Sequence, residues 1–284
     1  MQFVIEAKYM PELPEIETIK RCLENNITGS RITKLTCNRS NLRYVLSPLL
    51  DSLVPTSTIK AVRRRAKYLI IDLDNNHSLV IHLAMSGRFT IQSQSYQPIK
   101  HDHLLFYLNN KQKLVFNDAR RFGMVYIFAT ATLNNQPILA KLGPEPLLES
   151  FSADYLYKLL KNRKASIKNI LMNNEFVVGV GNIYVAEALF VAKIHPKTLC
   201  CDLSYNEVCE LVYAIKNILA KAIIAGGTSL KDFVNADNSL GYFKQELLVY
   251  GRSGKECRLC TNLIQRIVQG SRSSFFCPKC QSLS

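Results

Sequence analysis

The stretch Met10-Pro11-Glu12-Leu13-Pro14-Glu15 holds the residues with the least ordinary chemistry open to them. Inside a chain, a proline nitrogen is a tertiary amide with no nucleophilic lone pair. As a first residue it is a secondary amine with a pKa in the α-amino range, and a fair share of it is neutral near pH 7. Such an amine can attack an aldehyde-type carbon and form an iminium, as a catalytic lysine forms a Schiff base. Glu12 would stand beside it as an acid/base partner. Met10 reads as a start methionine of the kind removed before a small residue, and the nine residues before it, MQFVIEAKY, carry no targeting signal. On these residues alone the plainer reading takes precedence: a rigid turn ahead of a helix, with Pro14 in its first turn.

The second chemistry-bearing set is at the other end. Cys257-x2-Cys260 and Cys277-x2-Cys280 are separated by sixteen residues. Two such knuckles present four thiolates to one ion in a tetrahedral site, which suits zinc; a disulfide pair would suit a secreted chain. Four sulfurs leave no open position, so the metal would be structural, one per chain. Between the knuckles, Arg272 sits among small polar residues, where a phosphate contact or a solvated loop are both open.

Other motifs are less specific alone. Arg63 to Lys67 is a basic run entering a strand. Met85-Ser86-Gly87 and Arg120-Arg121-Phe122-Gly123 read as turn and core residues. His101-Asp102-His103 lacks a partner set at ligand spacing, which argues against a metal there. Lys164 and Lys168, four apart, could track phosphates or line an exposed face. Val178 to Tyr184 brings glycines into a helix start, where backbone N–H groups bind a phosphate oxygen well, but it is neither GxGxxG nor a Walker loop.

Taken in order, MPELPEIET, RRAKYL, HLAMSG, NDARRFG, LGPEPL, VGVGNIY, GGTSLKDF and the cysteine quartet resemble the bacterial formamidopyrimidine-DNA glycosylases of base-excision repair, from Met10 to about Gln281. The resemblance implies a bifunctional DNA glycosylase and AP lyase for oxidised purines, with Pro11 as nucleophile, Glu12 as acid/base at the sugar, and Lys67 and Arg272 as phosphate-side, proton-donating helpers. It also implies that Met85 and Phe122 wedge into the duplex and that Arg120 faces the orphaned cytosine. His101, Lys164, Lys168 and Asn182 would contact the DNA backbone, and Gly226–Tyr242 would form a loop over the everted base. An enzyme that works on a base must take it out of the stack, and apolar wedges offset that cost. Two alternatives stay open: an endonuclease VIII-type enzyme for oxidised pyrimidines, and a non-catalytic zinc-ribbon DNA-binding protein.

Composition agrees on the partner. Thirty-six Lys+Arg against twenty-two Asp+Glu leave a net charge of +14, which suits a polyanion. No apolar run reaches the roughly 18 residues a membrane span needs, and no basic amphipathic helix is evident. Scattered Cys22, Cys37, Cys200, Cys201 and Cys209 read as free thiols of a cytoplasmic protein. The expected partner is double-stranded DNA with oxidised bases or abasic sites, bound by a monomer associated with the bacterial nucleoid.

The elements that must position these residues follow from periodicity. Glu15–Asn25 reads as a helix with Ile16, Ile19, Leu23 and Ile27 on one face, ended by Gly29. Short strand-like runs follow at Arg31–Cys37, Thr58–Arg63, Tyr68–Asp74, Leu79–Leu83, Phe89–Gln92, Leu104–Leu108, Leu114–Asn117 and Val125–Phe128, with turns at Asn75-Asn76 and Asn109-Asn110. After the stiff Leu142–Pro146 segment the pattern turns helical: Ser152–Leu160, Ile167–Asn173, Ile183–Ala192, and Ser204–Ile224 with a Ser204/Glu207 capping box. Ser229–Tyr242 reads as a polar loop. The expected fold is α+β and multidomain: an extension (1–9), an N-terminal β-sandwich with flanking helices (10–141), a linker (142–151), a helix-two-turns-helix domain (152–245) and a zinc finger (246–284). DNA would lie in a basic cleft.

Overall fold

The computed structural model describes the backbone of residues 3–4, and residues 11–227 and 246–283. Met10, the rest of the extension, the Ser229–Tyr242 loop and the Gly226–Tyr242 loop beyond Gly227 lie outside the described residues. The chain divides into two compact units, Met1–Ala140 with Ala225–Tyr242, and Lys141–Ile224 with Phe243–Ser284.

The first unit is a sandwich of two antiparallel sheets. One has the order β1-β6-β8-β7-β2: β1 (Phe3–Val4), β6 (Gly87–Ser93), β8 (Gln112–Asp118), β7 (Asp102–Leu108) and β2 (Ile32–Cys37). The other has the order β3-β4-β5-β9: β3 (Ile59–Arg65), β4 (Tyr68–Leu73), β5 (His77–His82) and β9 (Met124–Ala129). Alternation decides which side chains face inward. Leu69, Ile71, Leu79, Ile81, Val125 and Ile127 of one sheet join Phe89, Ile91, Leu104, Phe106, Leu114 and Phe116 of the other in a single core. Helix α1 (Leu13–Ile27) adds Ile16, Ile19, Leu23 and Ile27 to it, the face expected from their spacing.

Pro14 occupies the first turn of α1, and Gly29, at φ +80°, follows its end. In the turn after β4, Asn76 takes the left-handed conformation; in the turn after β7 that conformation falls on Lys111, just past the expected Asn109-Asn110. Two short helices, α2 (Leu49–Leu53) and α3 (Pro137–Ala140), have too few residues to show a 3.6 period and were not expected.

The second unit holds α4 (Ala153–Leu160), α5 (Ile167–Leu171), α6 (Asn182–Val191), α7 (Tyr205–Ile224) and a two-stranded ribbon, β10 (Gln265–Gln269) with β11 (Arg272–Phe276). Ser152 caps α4 by accepting the Tyr155 N–H at 3.1 Å. Ser204 and Glu207 form the expected capping box: Glu207 accepts from the Ser204 N–H at 2.8 Å, and Ser204 Oγ accepts from the Glu207 N–H at 3.3 Å. Among the described residues, no helix is long and apolar enough to cross a membrane.

Candidate active site and nucleic-acid contacts

Pro11 and Glu12 are buried at the start of α1, where Glu12 is the N-cap residue. The cap is reciprocal. The Glu12 side chain accepts from the Glu15 backbone, and Glu15 Oε2 accepts from the Glu12 N–H at 2.9 Å. The orphan amides of the first turn thereby fix Glu12 next to Pro11. Sequence reasoning did not single out Glu15, although Glu12-x-x-Glu15 is the spacing of a capping box. Gly227 approaches Glu15 closely: a Cβ there would lie 2.8 Å from Glu15 Oε1, and its φ of +85° already favours glycine.

Lys67 lies in the β3–β4 hairpin turn, where Ala66 adopts φ +54°. It is close enough to His82 to act on its charge. Burial first, then the Lys67 and Arg43 cations, push His82 down to about 4, so the imidazole is neutral near pH 7. The His82 ring meets Tyr68 edge-on at 5.0 Å, and His82 Nδ1 accepts the Ala84 N–H at 3.0 Å. His82 opens the HLAMSG motif, and its place three residues before Met85 is the signal the sequence offers for it.

Met85, Arg120 and Phe122 come together on two neighbouring loops. Arg120 Nη1 is 3.2 Å from Met85 Sδ, and the Arg120 guanidinium lies over the Phe122 ring at 4.9 Å. All three are exposed, unusual for a methionine and a phenylalanine. Arg120, Arg121 and Phe122 also border a pocket of about 580 Å³ with Asn41, Leu42 and Arg43. His101 is in the turn before β7 at φ +75°, its ring 6.3 Å from His103.

In the second unit the four cysteine sulfurs all lie within 4.8 Å of one another. The Leu259 N–H points at Cys257 Sγ (3.4 Å) and the Cys280 N–H at Cys277 Sγ (3.5 Å), as in knuckles that support thiolates. Four convergent sulfurs with such donors fit one tetrahedral zinc and leave no site for substrate. The ribbon above carries Arg272 just past a two-residue turn, Gly270 (φ +53°) and Ser271 (φ +62°), which matches the twist of paired strands.

Two expected phosphate contacts are arranged otherwise. Lys164 is exposed but precedes α5, so it shares no helical face with Lys168. Lys168 is 1% exposed. Its ammonium donates to the Ser273 carbonyl at 2.9 Å and to Ser274 Oγ at 2.6 Å. Burial, with a smaller push from Arg272, brings it down to about 8. The Asn182 amide, in the first turn of α6, donates to the same Ser273 carbonyl at 3.0 Å. Both side chains therefore grip the strand beside Arg272. The reason lies about a hundred residues downstream, in the ribbon that covers α5. Glu187 was also missed. Buried on α6, it accepts from the N–H groups of Leu248 (2.7 Å), Val249 (3.0 Å) and Tyr250 (2.8 Å), holding the segment that leads into the cysteine ribbon.

A sandwich with a capped proline–glutamate start and a helical unit ending in a four-cysteine ribbon defines a basic, zinc-bearing protein of the nucleic-acid-binding kind. Three family descriptions match the chain: "Formamidopyrimidine-DNA glycosylase N-terminal domain" over 10–125, "Formamidopyrimidine-DNA glycosylase H2TH domain" over 142–234, and "Zinc finger found in FPG and IleRS" over 254–283. A formamidopyrimidine-DNA glycosylase of Rickettsia bellii is 55% identical over 273 residues, covering 96% of this chain and 99% of the relative. That of Rickettsia felis is 50% identical over 272 residues, covering 96% and 98%. Among solved structures, the Lactococcus lactis FPG mutant G226P with Fapy-dG-containing DNA is 34% identical at a TM-score of 0.89, covering 96% of this chain and all of that one. The L. lactis enzyme with AP-site DNA is 33% identical at 0.87, again covering 96% and 100%. This chain belongs to the formamidopyrimidine-DNA glycosylase family.

Proposed function

We propose that the chain is a bifunctional DNA glycosylase and AP lyase that removes oxidised purines, 8-oxoguanine and formamidopyrimidines, from duplex DNA. The observation that carries this reading is Pro11-Glu12, buried at the capped start of α1 in a chain of this family. The neutral Pro11 amine attacks C1′ of the damaged nucleoside, the C1′–base bond breaks and the base departs with a proton; the sugar ring then opens at C1′–O4′, O4′ taking a proton from Glu12, which leaves C1′ doubly bonded to the Pro11 nitrogen. The resulting iminium makes the C2′ proton acidic, and its removal expels the 3′ phosphate; a second elimination expels the 5′ phosphate. Glu12 serves as acid/base at the sugar. Lys67 and Arg272 neutralise the phosphates and supply protons, and Met85, Phe122 and Arg120 fill the space the base leaves. His101, Lys164, Lys168 and Asn182 make up the backbone-contact set, Lys168 and Asn182 through the strand bearing Arg272. Zinc, held by Cys257, Cys260, Cys277 and Cys280, supports the ribbon. We assign residues 10–141 to the catalytic domain, 142–151 to the linker, 152–245 to the DNA-binding domain and 246–284 to the finger. The place of action is the bacterial nucleoid.

This chemistry needs a free amine. Acylated by Met10, the Pro11 nitrogen has no basic lone pair, and no tuning of its surroundings creates one. Borohydride trapping on abasic DNA tests the point with two chains of verified N-terminus, one beginning at Met1 and one at Pro11. Only the second is expected to become covalently attached. Trapping by the first would move the nucleophile to a lysine such as Lys67, and trapping by neither would favour a non-catalytic zinc-ribbon binder. The L. lactis FPG has also been solved with DNA containing an oxidised pyrimidine (35% identity, TM-score 0.88). The ratio of excision rates on formamidopyrimidine and oxidised-pyrimidine duplexes therefore separates the purine enzyme from an endonuclease VIII-type one.

A further inference from the structure

Met85 and Phe122 stand on loops more than thirty residues apart in sequence, yet one buried group joins them. Asp118, the last residue of β8, pairs in register with Gly87, the first of β6, and is fully buried. One carboxylate oxygen accepts the Gly123 N–H at 2.7 Å, and the other accepts the Ser86 hydroxyl. That hydroxyl accepts the Arg120 N–H at 2.9 Å. The Asp118 carbonyl accepts the Arg121 N–H at 3.3 Å and lies 2.8 Å from His103 Nε2, while the Asp118 N–H donates to the His101 carbonyl at 3.0 Å. The Met85 turn, the Arg120–Phe122 loop and the His101 turn thus converge on one residue.

The fit around it is tight. A Cβ on Gly123 would sit 2.8 Å from the Phe116 ring and 2.9 Å from Asp118 Oδ2, and one on Gly87 would sit 2.4 Å from the Leu83 carbonyl. Ala84 and Arg121 hold left-handed conformations, at φ +53° and +59°, that non-glycine residues adopt only when their surroundings impose them. A buried carboxylate is unfavourable unless donors surround it, and among the described residues its two donors, Gly123 and Ser86, come from the two loops that carry Phe122 and Met85. A hydroxyl that donates to Asp118 while accepting from Arg120 is fixed in rotation, so it transmits position from one loop to the other.

We infer that Ser86 and Asp118 are positioning residues that latch the Met85 turn to the Arg120–Phe122 loop, so that both tips enter the duplex as one rigid wedge. This deepens, and rests on, the wedge assignment of Met85, Arg120 and Phe122. Two unlinked loops would each have to be ordered on the DNA; a latched pair is ordered beforehand.

The test uses the full zinc-bound chain beginning at Pro11 and a lesion duplex with 2-aminopurine beside the lesion, whose fluorescence reports base eviction. Cleavage of a preformed abasic duplex is measured in parallel. Ser86→Ala is expected to slow eviction roughly tenfold, the size of losing one buried hydrogen bond, and abasic cleavage far less. Ser86→Thr, which keeps the hydroxyl, restores eviction, and Asp118→Asn behaves like Ser86→Ala. In a Phe122→Ala background, Ser86→Ala adds little, because the wedge is already lost. Equal loss on both substrates, failure of threonine to restore eviction, or full additivity with Phe122→Ala overturns the latch while leaving the wedge standing. If Phe122→Ala itself spares eviction, the wedge assignment falls and the latch falls with it.

Discussion

In the N-terminal unit, Met85, Arg120 and Phe122 stand at the ends of strands whose other side chains fill the core between two sheets. Arg272 stands on a two-stranded ribbon whose buried neighbours are Ala186, Phe190, Val249, Ile264 and two cysteines. The first region has enough apolar surface to order its loops. A ribbon of this size does not, and what fixes Arg272 is a set of directed interactions: four thiolates on zinc, the Glu187 carboxylate on three amides, and Lys168 and Asn182 on the Ser273 carbonyl. Burial is tolerant of small changes in geometry, whereas metal coordination and buried hydrogen bonds fail when one partner is removed. The same task, holding an exposed side chain in place, thus has two different points of weakness.

Removing the metal should break the comparison most completely. Zinc binding contributes roughly 10 kcal/mol or more to folding in small finger domains. Cys277→Ser, or a strong chelator, should therefore release one zinc per chain, unfold the ribbon and abolish tight DNA binding, while the sandwich keeps its own melting transition. Metal analysis with calorimetry reads both, and a zinc-free protein with an intact ribbon would contradict the account.

The reciprocal cut comes next. Phe116 is fully buried and meets the tilted ring of Phe89, its cross-strand partner in the same sheet, at 5.3 Å on the core face. Phe116→Ala should cost about 3 to 5 kcal/mol through lost burial and a cavity. The loss should fall on the first unit, with zinc retained at one per chain. Zinc released in step with the loss of the sandwich would show that the two supports are not separable.

How much of this was legible in the sequence differs between the regions for the same reason. Alternation at Arg31–Cys37 and short, mostly apolar runs separated by turn signals marked the strands from β2 to β9, because a strand of a two-sheet core carries its apolar residues locally. The cysteine spacing marked the metal site, and Ser204-x-x-Glu207 marked the start of α7. What the sequence did not disclose depends on partners far along the chain. Lys164 and Lys168 share a helical spacing, yet α5 begins only at Ile167, and Lys168 is buried by a ribbon more than a hundred residues downstream. Ser86 and Asp118 belong to HLAMSG and NDARRFG, but a serine in a turn and an aspartate at a strand end look like ordinary surface residues until the register of β6 and β8 brings them together. Glu187 sits in an otherwise apolar helix, and its three amide donors come from a segment about sixty residues away.

The smallest expected effect separates the two regions by pH. In the first unit, the fold holds His82 neutral down to about 4, against an ordinary 6.5. The unfolded chain takes up a proton below about 6.5 that the folded chain refuses until about 4. In that window the unfolded state binds more protons, so stability falls as the pH falls. In the second unit, Lys168 gives up its proton near 8 when folded, against an ordinary 10.5. Between those values the unfolded state again binds more protons, so stability rises with pH. Each effect amounts to no more than about 3.5 kcal/mol, because each group moves by about 2.5, from 6.5 to 4 and from 10.5 to 8, and one pKa unit is worth about 1.4 kcal/mol. Acidification from pH 6.5 should therefore loosen the sandwich, and alkalinisation past pH 8 should tighten the helical unit. Hydrogen exchange of β4–β5 and α5–α6 peptides reads the two separately. His82→Asn, which keeps an acceptor for the Ala84 N–H, should flatten the acid limb in the sandwich alone. If instead the acid limb survives in His82→Asn, another group carries it, and the neutral imidazole beside Lys67 and the Met85 turn is not what ties the sandwich to pH.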